Sequence, residues 1–152
     1  MTIARPRLMA SAALLGLATA ALSAEATYRN DIKPLFDAKC ANCHGSDSAP
    51  ELHAFKEERD KWLALGKGMR MDTYSHLIAY TAWPDTGALM RRLDDGKAAN
   101  DAKPGNMYPH LGSTEPERQK NLQTFKNWVG AWTLKRWKEI TKEELDGIKV
   151  KY

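Results

Sequence analysis

The chain holds two cysteines, Cys40 and Cys43, separated by two residues and followed at once by His44. Few chemistries use a thiol pair at that spacing. A disulfide would close a very short loop and stabilise little. A thioredoxin-type pair expects a preceding strand in a βαβ unit. The preceding residues, NDIKPLFDAKCA at 30–41, instead place Ile32, Leu35, Phe36 and Lys39 at helical spacing. A zinc site needs further ligands clustered nearby. The remaining reading is Cys-x-x-Cys-His as the attachment site of a c-type haem. Each thiol adds to one vinyl group. Ala41 and Asn42 set the distance at a helix end, and His44 then faces the iron.

The residues before the motif fit that chemistry. Arg5 and Arg7 open the chain, Leu8–Leu22 is uncharged and mostly apolar, and Ala24-Glu25-Ala26 is a small-x-small site. This is the pattern of a secretory signal peptide over 1–26. The apolar run is short for a spanning helix, which needs roughly 20 residues. The expectation is an exported, periplasmic protein. Its haem domain would occupy 27–132, with a C-terminal extension over 133–152 that has no assigned role.

Lysine plus arginine number 23 against 19 acidic residues. Removing Arg5, Arg7 and Glu25 with the leader takes the formal charge from +4 to +3. There is no dense basic stripe of the kind a nucleic-acid binder carries. Five tryptophans need a partner to bury them, and a haem would supply part of the core that a small domain lacks.

Along the chain, apolar residues recur at helical spacing in 51–65, 72–80, 86–95 and 114–137, separated by loops rich in Gly, Pro, Ser and Asp. Thr114 and Glu117 have capping-box spacing, with Pro116 near the start. Residues 141–145 are expected to open one more short turn. No convincing alternating strand and no repeat is found. The expected fold is all-α.

The sixth position on the iron decides the function. A methionine there gives a low-spin, relatively oxidising carrier, whereas an empty site allows gas or peroxide chemistry. The candidates are Met69, Met71, Met90 and Met107, with His53, His76 and His110. Met90 lies in an apolar helical face, while Met69 and Met71 flank Arg70 after a glycine turn. Met107 follows the loop GKAANDAKPGN and is the preferred ligand. His44 should donate its other ring nitrogen to a carbonyl, with Pro50 a candidate wall. Trp83, in a turn, is the best candidate for a haem-edge wall. Arg91 and Arg92 are propionate candidates with ordinary surface roles as the alternative. Lys33, Lys39, Lys103 and Lys120 could surround an exposed haem edge.

Over residues 28–132 the sequence resembles the class I cytochrome c family. CANCHG matches the family's haem-binding segment, GALMRRLDDG the helix before its methionine loop, and PGNMY that loop. The resemblance implies a small helical domain wrapped around one covalent haem c. Cys40, Cys43, His44 and Met107 would bind it, with His44 and Met107 on the iron. Phe36 and Trp128 match the family's contact between first and last helices. The family commonly has proline after its methionine, where this chain has Tyr108 and then Pro109. The function implied is a periplasmic single-electron carrier, not an enzyme, working between a redox-protein donor and acceptor. Alternatives are a subunit of a membrane-bound or multisubunit redox complex, which an exposed patch of Trp132, Leu134 and Trp137 would favour. A haem enzyme or gas binder is another, with His76, Arg70 or His110 on the distal side.

Overall fold

The computed structural model describes residues 25–152. The expected signal peptide lies outside the described residues, apart from Glu25 and Ala26. The first helical turn begins earlier than Asn30: Thr27 caps it, its hydroxyl accepting from Asn30 N at 3.2 Å while its own N–H donates to Asp31 at 2.8 Å. A π-turn over Tyr28–Ile32 leads into α1, Lys33–Lys39. Cys40 then breaks the axis, and α2, Ala41–His44, carries the rest of the motif.

The single helix expected over 51–65 is two, α3 (Leu52–Glu57) and α4 (Arg59–Ala64), broken at Glu58 with φ −123° and ψ 40°. The polar interruption at Arg59 leaves no continuous apolar stripe to hold one axis, and Leu63 and Leu65 stay exposed. Then come α5 (Tyr74–Ala79), α6 (Ala88–Leu93), a 3₁₀ turn (Tyr108–Leu111), α7 (Glu115–Val129) and α8 (Lys142–Asp146).

The longest helix, α7, stops at Val129 rather than running toward Trp137. Gly130 reverses the chain at φ +79°, and a Cβ there would meet the Gly147 carbonyl at 2.6 Å. The last residues return antiparallel to the end of α7. Lys149 N donates to Val129 O at 2.8 Å and Val150 N to Trp128 O at 3.0 Å. Gly130 and Ile148 form one isolated β-bridge, and no sheet occurs among the described residues.

The core joins Ile32, Phe36, Leu77, Met90, Leu111, Leu122, Phe125, Trp128 and Val129. Phe36 is buried there, but the aromatic ring that meets Trp128 is Tyr28, at 6.5 Å between centroids. Lys151 O closes this corner, accepting from Tyr28 N and from Trp128 Nε1, each at 2.7 Å. Among the described residues no helix is long and apolar enough to cross a membrane.

Candidate haem site

Cys40, Cys43 and His44 sit half-buried at the end of the first helical unit. Both cysteines are free thiols. Burial, with Cys43 and Asp37 nearby, pushes the Cys40 thiol up to about 12. Helical backbone bonds fix the turn: His44 N donates to Cys40 O at 2.9 Å and Gly45 N to Ala41 O at 2.8 Å.

A strap of residues 67–71 crosses the histidine. Lys67 Nζ donates to Asn42 O at 2.7 Å, Gly68 N to Cys43 O at 3.0 Å and Met71 N to His44 O at 2.8 Å. His44 Nδ1 lies 2.7 Å from the Met69 carbonyl. A carbonyl only accepts, so Nδ1 carries the ring proton and Nε2 keeps the lone pair a metal requires. The carbonyl that orients His44 is therefore that of Met69. The Pro50 carbonyl accepts from Arg70 N at 2.8 Å instead. The strap lies so close that a Cβ on Gly68 would fall 2.1 Å from His44 Cε1.

This placement sorts the sixth-ligand candidates. Met71 and Met90 are core residues, and the Met69 sulfur faces the Tyr80 hydroxyl at 3.5 Å. His53 and His110 are exposed. His76 stands 3.7 Å from both Asp72 and Glu51, the two carboxylates that hold Arg70 at 2.6 and 2.7 Å. Arg70 of the strap and His76 of α5 thus share one cluster around Glu51 and Asp72. Met107 is half-buried, at the start of the 3₁₀ turn. Its N–H donates to Arg92 O at 2.9 Å, and Gly105 N donates to Asp94 O at 2.8 Å. Gly105 permits this closure, since a Cβ would lie 2.3 Å from Arg92 O. Arg92 also donates to the Asn106 side chain at 2.8 Å.

Other expected roles fall differently. Arg91 is taken up by the carbonyls of Thr86 and Leu134, each at 2.9 Å. Lys33 pairs with Asp37 and Lys39 with Glu117, both at 2.5 Å. Trp83 is 65% exposed on its turn, and Trp132 and Leu134 turn inward while Trp137 stays exposed. The residues present fit a haem. Two thiols and the histidine share one helix end, and the bond from His44 Nδ1 to the Met69 carbonyl leaves the Nε2 lone pair for a metal.

Sequence reasoning missed the network that follows Met107. Tyr108 donates to Glu115 at 2.5 Å, and the Gln119 amide donates to Tyr108 Oη, Glu115 and Asp95 at 2.8, 3.0 and 3.1 Å. Bonds from Tyr108, Gln119 and Arg118 hold Glu115 at about 2. Burial would raise Asp95, but bonds from Gln119 and Lys97 outweigh it and bring it to about 2. Folded values below the ordinary carboxylate range contribute stability that is full above about pH 4.5 and is lost as pH falls toward 2. Denaturant unfolding of the holoprotein should weaken across that window, and Asp95→Asn should flatten the dependence. A profile unchanged by that substitution would contradict the assignment.

A thiol pair at a helix end, beside a histidine whose ring is tied through Nδ1, is the arrangement of a c-type cytochrome's haem-attachment segment. The sequence profile of the PccH cytochrome c family matches residues 27–152. The solved structure of monohaem cytochrome PccH from Geobacter sulfurreducens is similar, with 73% sequence identity and a TM-score of 0.78. The match covers 84% of this chain and 99% of that one. No curated protein sequence gives a significant match. The chain belongs to the PccH cytochrome c family of monohaem class I cytochromes. It is accordingly an all-helical, periplasmic single-electron carrier with a c-type haem, and not an enzyme.

Proposed function

We propose that one haem is held by thioether bonds to Cys40 and Cys43, with His44 Nε2 and the Met107 sulfur as its axial ligands. When bound, the haem would supply a ferric/ferrous couple, and the chain would supply its two thiols and the His44/Met107 ligand pair. The observation that carries this reading is the 2.7 Å bond from His44 Nδ1 to the Met69 carbonyl. It settles the ring proton away from Nε2, holds the imidazole plane and makes the ligand nitrogen more basic. The bonds of Met107 N to Arg92 O and Gly105 N to Asp94 O hold the backbone that carries the methionine. Ligands that stay in place through a redox cycle suit a carrier that meets a redox-protein donor and acceptor in turn.

Acid–acetone extraction of the purified holoprotein tests the attachment. The haem should remain on the chain, with an intact mass greater than the polypeptide by one haem. Redox titration should follow a one-electron curve. Extractable haem, or a mass equal to the bare polypeptide, would contradict covalent attachment.

A further inference from the structure

We propose that Asp94 and Trp132 are positioning residues for the sixth ligand, keeping the 95–106 loop closed so that Met107 stays on the iron. The inference rests on Met107 as the ligand proposed above. Asp94 caps the end of α6 and is 1% exposed. Among the described residues its carboxylate meets only N–H donors: Trp132 Nε1 at 2.9 Å on Oδ1, and Gly96 N and Ala98 N at 2.8 and 3.4 Å on Oδ2. A buried carboxylate without a cation depends on those bonds, because each lost donor leaves charge unsolvated. The side chain thus fixes the loop's first turn. Its backbone carbonyl fixes the last, through Gly105 N, two residues before Met107.

The partner Trp132 is itself held from outside the loop. It follows the reversal at Gly130, and Lys126 Nζ lies 5.5 Å from its ring centroid. The next residues are registered on α6 a second time. Arg91 reaches Leu134 O, and a Cβ on Gly87 would lie 2.5 Å from Lys135 O. Two side chains three residues apart at the end of α6 therefore reach segment 132–135. That gives the stretch after α7 a role at the haem: it anchors the root of the ligand loop.

The test is exogenous ligand competition. Ferric holoprotein is titrated with imidazole while the near-infrared band of methionine-ligated haem is followed. Trp132→Phe keeps the ring packing and removes the bond, and should bind imidazole about tenfold more tightly and faster. Asp94→Asn keeps the shape, cannot satisfy Trp132 and the loop N–H groups together, and should shift in the same direction. Tyr74→Phe, which loses a 2.8 Å bond to Val150 O, controls for general destabilisation and should leave imidazole affinity unchanged. Wild-type affinity in both loop variants would overturn the positioning role while leaving Met107 ligation intact. A wild-type protein without the band would overturn both. An equal gain in Tyr74→Phe would reduce the effect to stability alone and overturn the proposal.

Discussion

Replacing Gly68 with alanine is expected to cost about 3 kcal/mol of holoprotein stability and to disturb the iron's proximal ligation. The new Cβ would lie 2.1, 2.6 and 3.0 Å from Cε1, Nδ1 and Nε2 of His44. Neither side can give way cheaply. The strap is bonded to the motif through Gly68 N–Cys43 O and Met71 N–His44 O. Under the proposed ligation, the ring is held by iron on one nitrogen and by the Met69 carbonyl on the other. Pushing the strap away breaks the second bond, which lowers the basicity of the ligand nitrogen. Gly66 is the control. It has φ +66° with nothing within 4 Å of an added Cβ. Gly66→Ala should therefore cost about 1 kcal/mol, from backbone conformation alone, and leave the spectrum unchanged. Denaturant unfolding and visible spectra of both variants decide. A Gly68→Ala protein with wild-type stability and spectrum would contradict the role given to the strap.

Truncation after Gly147 should have the larger effect on stability. Residues 148–152 contribute the bonds of Lys149 N to Val129 O and Val150 N to Trp128 O. They also supply the acceptors for Tyr28 N, Trp128 Nε1 and the Tyr74 hydroxyl. Removing an acceptor from a buried donor costs about 1–3 kcal/mol. Losing several together should reach about 5 kcal/mol, the lower end of a domain's total stability. Holoprotein yield should collapse. Tyr152→Ala removes the stack on Tyr28 at 5.8 Å, the edge contact with Tyr74 at 5.1 Å and the Arg29 contact at 4.7 Å, and no backbone bond of the tail. It should cost about 1 kcal/mol. A truncated chain that unfolds at the wild-type denaturant midpoint would show that the tail is not part of the domain's core closure.

What could be read from sequence was chemistry confined to a few consecutive residues. The Cys40, Cys43 and His44 motif is legible because its spacing is written in five consecutive residues, and the structure places it at one helix end. Thr141 and Glu144 form a true capping box, a pattern written within four residues. Thr114 caps α7 by accepting from Glu117 N, but the Glu117 carboxylate turns to Ser113 N rather than to the cap itself.

Contacts set by chain return were not legible. The carbonyl that orients His44 comes from Met69, 25 residues on, and no side-chain pattern marks a backbone oxygen. Trp128 and Phe36 share the core as expected, but the ring paired with Trp128 is Tyr28, at 6.5 Å between centroids. Trp132 continues the apolar spacing of α7, yet Gly130 turns it out of the helix and toward Asp94. Periodicity records which residues want burial, but the reversal decides what buries them. The end of the chain shows the same limit, because its strongest bonds use backbone groups of GIKVKY that any sequence possesses.

His44/Met107 ligation is tested most directly by the near-infrared absorption of the ferric holoprotein, recorded beside Met107→Ala. The wild-type protein should show the weak charge-transfer band of a methionine-ligated haem and the variant should lose it, with the visible spectrum shifting toward high spin. A band that survives in Met107→Ala, or a wild-type protein that lacks it and binds carbon monoxide readily when reduced, would contradict His44/Met107 ligation.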